Sequence, residues 1–233
     1  MSNLLNVAKE NYRNACQYSN VTDFWSLYYC RVFASIFVAI IRKTSITPNH
    51  LTYSSLIMHI IGISFLIKMN FIIAAILLMI GQVLDAADGQ LAIIKDMKTV
   101  YGSYLDLIFD AIKDLLSYSV LLWLYIGTSY EIAGILSFLL VSLSLILDWV
   151  NRHALNIIKP PKDIISSRPT FKQKYGIQFW TCPIRNFIIV ISLLLQSPHW
   201  ILLYSSIVGL YLTVKKYFII FFKIKSLFSQ PNS

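Results

Sequence analysis

Charge is scarce in this chain: of 233 residues only 13% are Asp, Glu, Lys or Arg, against 57% hydrophobic residues and a mean hydropathy of +0.64. A soluble domain needs a polar exterior that this composition does not supply, so the reading is an integral membrane protein. Cysteine is scarcer still. Three thiols, Cys16, Cys30 and Cys182, with no C-x-x-C spacing, suggest neither a disulfide framework nor a zinc site. The first twenty residues are polar and lack an uninterrupted apolar run, so no cleavable signal peptide is expected and the amino terminus is expected to stay cytoplasmic. No G-x-S-x-G, P-loop or G-x-G-x-x-G occurs, which leaves hydrolase, NTPase and dinucleotide-binding readings without support. There is no internal repeat and no low-complexity tract. The net charge of +9 does not call for nucleic acid, because no basic patch is interleaved with a fold that reads bases. In a membrane protein that excess follows from Lys and Arg held on the cytoplasmic side and from anionic lipid.

What is present is a series of apolar runs. A helical span needs about 20 apolar residues. Runs between charged breaks predict spans near 50–68, 71–95, 103–126, 130–150, 183–197 and 199–222. The expected fold is therefore an all-α integral membrane protein of about six transmembrane helices, preceded by a cytoplasmic interfacial amphipathic helix. The organisation reads as a polar segment 1–23, the interfacial helix 24–46, a six-helix membrane domain 47–225 with a cytoplasmic loop 151–182, and a tail 226–233. Arg31, Arg42 and Lys43 among aromatics suit the interfacial helix, with a seventh span as the alternative. Most other basic residues, including Lys95, Lys98, Arg152 and Arg185, then fall inside, while Lys68 alone lies at an outside turn.

Into these runs are set four aspartates. Asp85 and Asp88 lie three residues apart near the end of one apolar segment, and Asp106 and Asp110 four apart in the next. Each spacing puts its pair on one helix face. Facing each other, the pairs form a carboxylate cage whose charge calls for one or two divalent cations. The pairs lie toward the predicted cytoplasmic side, so a site there would draw soluble substrates from the cytosol. His50, His59, His153 and His199 are scattered and form no metal-ligand pair, and Tyr101, Tyr104 and Trp123 read as packing or belt aromatics.

Residues 85–110 resemble the signature of the CDP-alcohol phosphotransferase family, D-x2-D-G-x2-A-R-x8-G-x3-D-x3-D, aligned without a gap at Asp85, Asp88, Gly89, Ala92, Gly102, Asp106 and Asp110. Seven of the eight specified positions agree; the arginine is replaced by Ile93. Residues 46–52, ITPNHLT, are similar to the T-P-N stretch that opens the family's first transmembrane helix. The resemblance implies a homodimeric membrane enzyme with two Mg²⁺ or Mn²⁺ ions held by Asp85, Asp88, Asp106 and Asp110, with Asp110 also serving as catalytic base. It further implies nucleotide binding by Thr47, Pro48 and Asn49 beside the metals. Gly89 and Ala92 keep the helix wall low so that a nucleotide can approach, and Gly102 allows a tight turn or a close helix approach. Thr47 and Pro48 equally suit a plain helix cap. With Ile93 in place of a guanidinium, Lys95 or Lys98 is the candidate phosphate contact.

The implied reaction is transfer of a phosphatidyl group from a CDP-linked donor, CDP-diacylglycerol foremost, to an alcohol acceptor, with release of CMP, in phospholipid synthesis among membrane lipids. A CDP-choline or CDP-ethanolamine type of transfer to a lipid alcohol is the alternative within the family. A divalent-cation transporter or a catalytically degenerate scaffold is the alternative outside it.

Overall fold

In a computed structural model the protein is described over residues 2–18, 23–158 and 180–228, with side chains over 5–16, 23–151 and 180–222. Among the described residues the chain is all-helical. Helix α1 is Ser2–Tyr18, α2 Arg31–Ile41, α3 Pro48–Ile67, α4 Phe71–Ile94, α5 Val100–Leu124, α6 Glu131–Ile158, α7 Cys182–Leu194 and α8 His199–Phe228. A π-helical turn, Ser26–Cys30, runs straight into α2. Most of the predicted loop, residues 159–179, and the tail from 229 onward lie outside the described residues, as does the His153 side chain.

The helices start and stop where local chemistry says they should. Thr47 caps α3, its hydroxyl accepting from the His50 backbone N–H at 3.4 Å while His50 Nδ1 accepts from the Thr47 N–H at 3.3 Å, and Pro48 occupies the first turn. Asn70 caps α4 and Thr99 caps α5 in the same manner. Three interhelical turns place a non-glycine residue in the left-handed region: Met69, Asp96 and Gln196, with φ of 57°, 53° and 53°. Each terminates one helix and reverses the chain into the next.

Four helices are long and apolar enough to cross a membrane: α3, α4, residues Glu131–Asn151 of α6 and His199–Phe222 of α8. The expectation of about six rests on two more. Helix α5 has the length, at 25 residues, but carries Asp106, Asp110, Lys113 and Asp114; α7 is apolar but only 13 residues long. The expected interfacial helix is a short apolar one, Ser26–Ile41. Residues 1–23, read only as polar, contain α1, which buries Ala8 and Ala15, packs on α2 and α4, and donates from Asn11 Nδ2 to the Ser35 carbonyl.

Packing is inside-out relative to a soluble protein. Isoleucines 57, 60, 72, 76, 135 and 207 and Leu139 are exposed, whereas Lys113, Asp114, His59, Arg185 and Ser117 are buried. Large apolar side chains face outward and polar ones face helix neighbours, the pattern expected in lipid. Helix α3 lies along α4 because Gly62 and Gly81 leave room: a Cβ at Gly62 would meet Leu78 at 3.2 Å, and one at Gly81 the Ser55 carbonyl at 3.3 Å. Tyr118, Leu121, Val141, Ile189 and Leu202 complete the core with Leu66 and Leu78. A second cluster packs α2 on α4 through Ala34, Val38, Ala87 and Leu91.

Candidate metal and substrate site

The close approach at Gly81 sets the first half of the site. It brings α3 against the C-terminal half of α4, so that Ser55 Oγ donates to Asp85 Oδ1 at 3.3 Å and Thr52 Oγ1 donates to Asp88 Oδ2 at 2.5 Å. Both hydroxyls orient carboxylates that would otherwise be adjustable. Neither was assigned from the sequence, although two polar residues one helical turn apart within an apolar run were a readable signal.

The second half comes from α5. Thr99 Oγ1 accepts from the Gly102 N–H at 3.0 Å, starting the helix so that Asp106 and Asp110 follow one and two turns after Gly102. Gly102 lies inside the first turn, and its missing side chain matters by proximity: a Cβ there would meet Thr99 Oγ1 at 3.1 Å and Asn49 Oδ1 at 3.5 Å. Of the two functions expected of this glycine, close approach is the one observed. It seats Asn49, at the start of α3, beside the start of α5.

Asp85, Asp88 and Asp106 each contribute an oxygen to a group whose atoms all lie within 4.8 Å of one another. Three carboxylate oxygens so placed fit one hard divalent cation such as Mg²⁺ or Mn²⁺. Asp110 lies beside this group rather than in it. It is ion-paired with Lys113 at 3.4 Å, and Lys113 pairs more closely with Asp85. The Lys113 side chain is only 5% exposed. His59 fixes the backbone beneath it: its Nε2 lies 3.2 Å from the Lys113 carbonyl and 2.9 Å from Ser117 Oγ.

These groups line a cavity of about 1360 Å³ that also takes in Gly89, Ile93 and Lys98. A Cβ at Gly89 would meet nothing within 4 Å, so the α4 wall there opens onto free space. Lys95 is turned away; its ammonium donates to the carbonyls of Thr44 and Ile46, both at 2.7 Å, tying the α2–α3 link to the end of α4. On the far side the cavity is lined by Asn186 of α7 and by Asp148, Lys215 and Lys216, of which Asp148 and Lys216 are ion-paired.

Asp114 lies one turn beyond Asp110 on α5. Its partner is Arg185 of α7, in an ion pair that is almost fully buried. The guanidinium also donates to the Trp180 carbonyl at 3.0 Å and lies 5.4 Å from the Trp180 ring centroid. Sequence alone placed Arg185 among the basic residues of the inside; the structure commits it to joining α7 to α5. Outside the spans, burial pushes the Asp23 carboxyl above its usual range while it accepts from the Ser26 N–H at 2.7 Å.

Comparison with known proteins bears on the same residues. The model of the CDP-alcohol phosphatidyltransferase family matches residues 45–214, which contain Asp85, Asp88, Asp106 and Asp110 and the Thr47–Asn49 cap. An uncharacterized protein of Aquifex aeolicus (strain VF5) is 35% identical over 97 residues, 42% of this chain and 50% of that protein. The chain thus spans about half the length of this curated relative.

Proposed function

The chain belongs to the CDP-alcohol phosphatidyltransferase family, and on that premise we propose that it transfers a phosphatidyl group from CDP-diacylglycerol to a polar alcohol, releasing CMP. The observation that carries this reading is the carboxylate group of Asp85, Asp88 and Asp106 opening onto a cavity whose wall is bare at Gly89. A diphosphate needs concentrated positive charge and a flat approach, and the two features adjoin.

Asp85, Asp88 and Asp106 would hold the divalent ion, which when bound supplies charge neutralisation at the donor diphosphate. Ser55 and Thr52 keep Asp85 and Asp88 in place for it. Gly89 gives the nucleotide access to the α4 backbone from the cavity; Ala92 one turn on, and Thr47, Pro48 and Asn49 at the start of α3, lie outside the cavity lining and would meet the nucleotide beyond its edge. Lys98, which lines the cavity, contacts the phosphates where Ile93 leaves no guanidinium. Asp110 takes the proton from the acceptor hydroxyl as its oxygen bonds to phosphorus and the bond to CMP breaks. The mixture of donors and acceptors at Asn186, Asp148 and Lys215 suits a hydroxylated, polar acceptor better than a lipid alcohol. The whole is read as a multi-pass homodimer with six spans, the site facing the cytoplasm.

The test is CMP release by the detergent-purified protein given CDP-diacylglycerol, or CDP-choline in a parallel reaction, with Mn²⁺ or Mg²⁺ and a pool of alcohols. Release is expected with CDP-diacylglycerol, dependent on the metal, and reduced about 10²-fold or more in Asp110→Asn, the usual scale of general-base loss. Release from CDP-choline alone would move the protein to the other donor class. No release from either donor would overturn the transferase reading.

A further inference from the structure

Lys113 lies three residues beyond the signature of residues 85–110, lines the cavity, and places its ammonium between two of the carboxylates, Asp85 and Asp110. It lies three residues after Asp110, on the same face of α5, so its side chain folds back over Asp110 and reaches across to Asp85 on α4. Those are the two carboxylates that a second metal ion would have to share, once Asp85, Asp88 and Asp106 hold the first. The ammonium already stands there.

It is also held there. Its side chain is 5% exposed, and its carbonyl is fixed by His59 and Ser117 from α3 and α5, both buried. Turning the ammonium away would leave Asp85 and Asp110 without their shared cation. We propose that Lys113 replaces one divalent ion with a built-in cation, so that this site binds a single ion at Asp85, Asp88 and Asp106. Lys113 is then a positioning residue: it orients Asp110 toward the acceptor and keeps it off the metal, separating the two functions that the sequence assigned to that aspartate together. The inference rests on the metal-dependent transferase reading, yet it can fail while that reading stands.

The experiment counts ions. The full-length detergent-purified chain is titrated with Mn²⁺, with and without CDP, and bound metal per chain is measured by equilibrium dialysis and by the electron paramagnetic resonance spectrum. One Mn²⁺ per chain is expected, with the six-line pattern of an isolated ion, in both conditions. Lys113→Met is expected to admit a second Mn²⁺ and produce a spin-coupled spectrum, whereas Lys113→Arg keeps one. Two ions in the wild type, with or without CDP, or one ion still in a folded Lys113→Met, would overturn the inference alone. No bound Mn²⁺ at all would overturn the metal-dependent reading with it. The wild-type count decides the matter even if Lys113→Met fails to fold.

Discussion

At the scale of single residues, the site separates groups that shape it from groups that hold the fold, and substitutions should separate accordingly. Gly89 sits within α4, in its last two turns, with nothing near its missing side chain. Gly89→Ala should therefore leave the fold intact, and helix propensity alone would favour alanine by about 1 kcal/mol. The added methyl would stand in the proposed path of the nucleotide. The expected outcome is an unchanged or raised melting temperature in detergent with a several-fold higher KM for the CDP donor; an unchanged KM would remove Gly89 from the nucleotide wall. Arg185 and Asp114 are the opposite kind. Breaking a buried ion pair by removing one partner costs about 3–5 kcal/mol, because the other charge stays behind in a dry interior. Their burial commits both residues to the framework rather than to a substrate.

At the scale of elements, the cavity is shaped by how helices are allowed to approach. Gly81 brings α3 to α4 on one side. On the other, Gly209 of α8 receives the Trp180 ring, and a Cβ at Gly209 would fall 2.4 Å from Trp180 Cη2. Trp180 in turn carries the carbonyl that accepts from Arg185. Gly209→Ala must displace this ring, and overpacking of that kind costs about 1–3 kcal/mol. The expected result is a lower melting temperature in detergent together with reduced CMP release, relieved in part by Trp180→Phe, whose smaller ring clears the methyl. A fully stable Gly209→Ala would show that the α7–α8 contact is looser than the packing indicates. Caps act at the same scale. The Thr47–Pro48–Asn49 segment is a true helix cap in geometry, and the side chain left over from capping, Asn49, is the one that reaches α5.

At the scale of the whole molecule, the proposed six-span topology places the two ends of α4 on opposite sides of the membrane. Met69 and Met97 are exposed residues in the turns at those two ends. In a chain with Cys16, Cys30 and Cys182 replaced by serine, Met69→Cys should react with a membrane-impermeant maleimide from outside intact cells. Met97→Cys should react only after the cells are opened. The reverse labelling pattern would invert the site to the external face; labelling of both from outside would argue against α4 as a span.

Much of this protein was determined by its sequence alone. The helix positions followed from apolar run length and from caps such as Thr47, Asn70 and Thr99, because backbone groups in lipid must be satisfied locally. That Asp85 and Asp88 share one helix face, and Asp106 and Asp110 another, was legible from their spacing, since one helical period fixes which residues share a face. What only the tertiary structure decided is which charges meet across helices. That Arg185 pairs with Asp114, that Lys95 turns to the carbonyls of Thr44 and Ile46 while Lys98 lines the cavity, and that Lys113 bridges Asp85 and Asp110 all depend on the rotation and distance of α4, α5 and α7. Those are set by small residues at helix contacts, Gly62, Gly81 and Gly209, and by the packing between them. Helical periodicity acts along one chain segment and is written in its order of residues; the pairing of buried charges is a contest among all neighbours in a water-poor interior, and it is resolved only when the helices have packed.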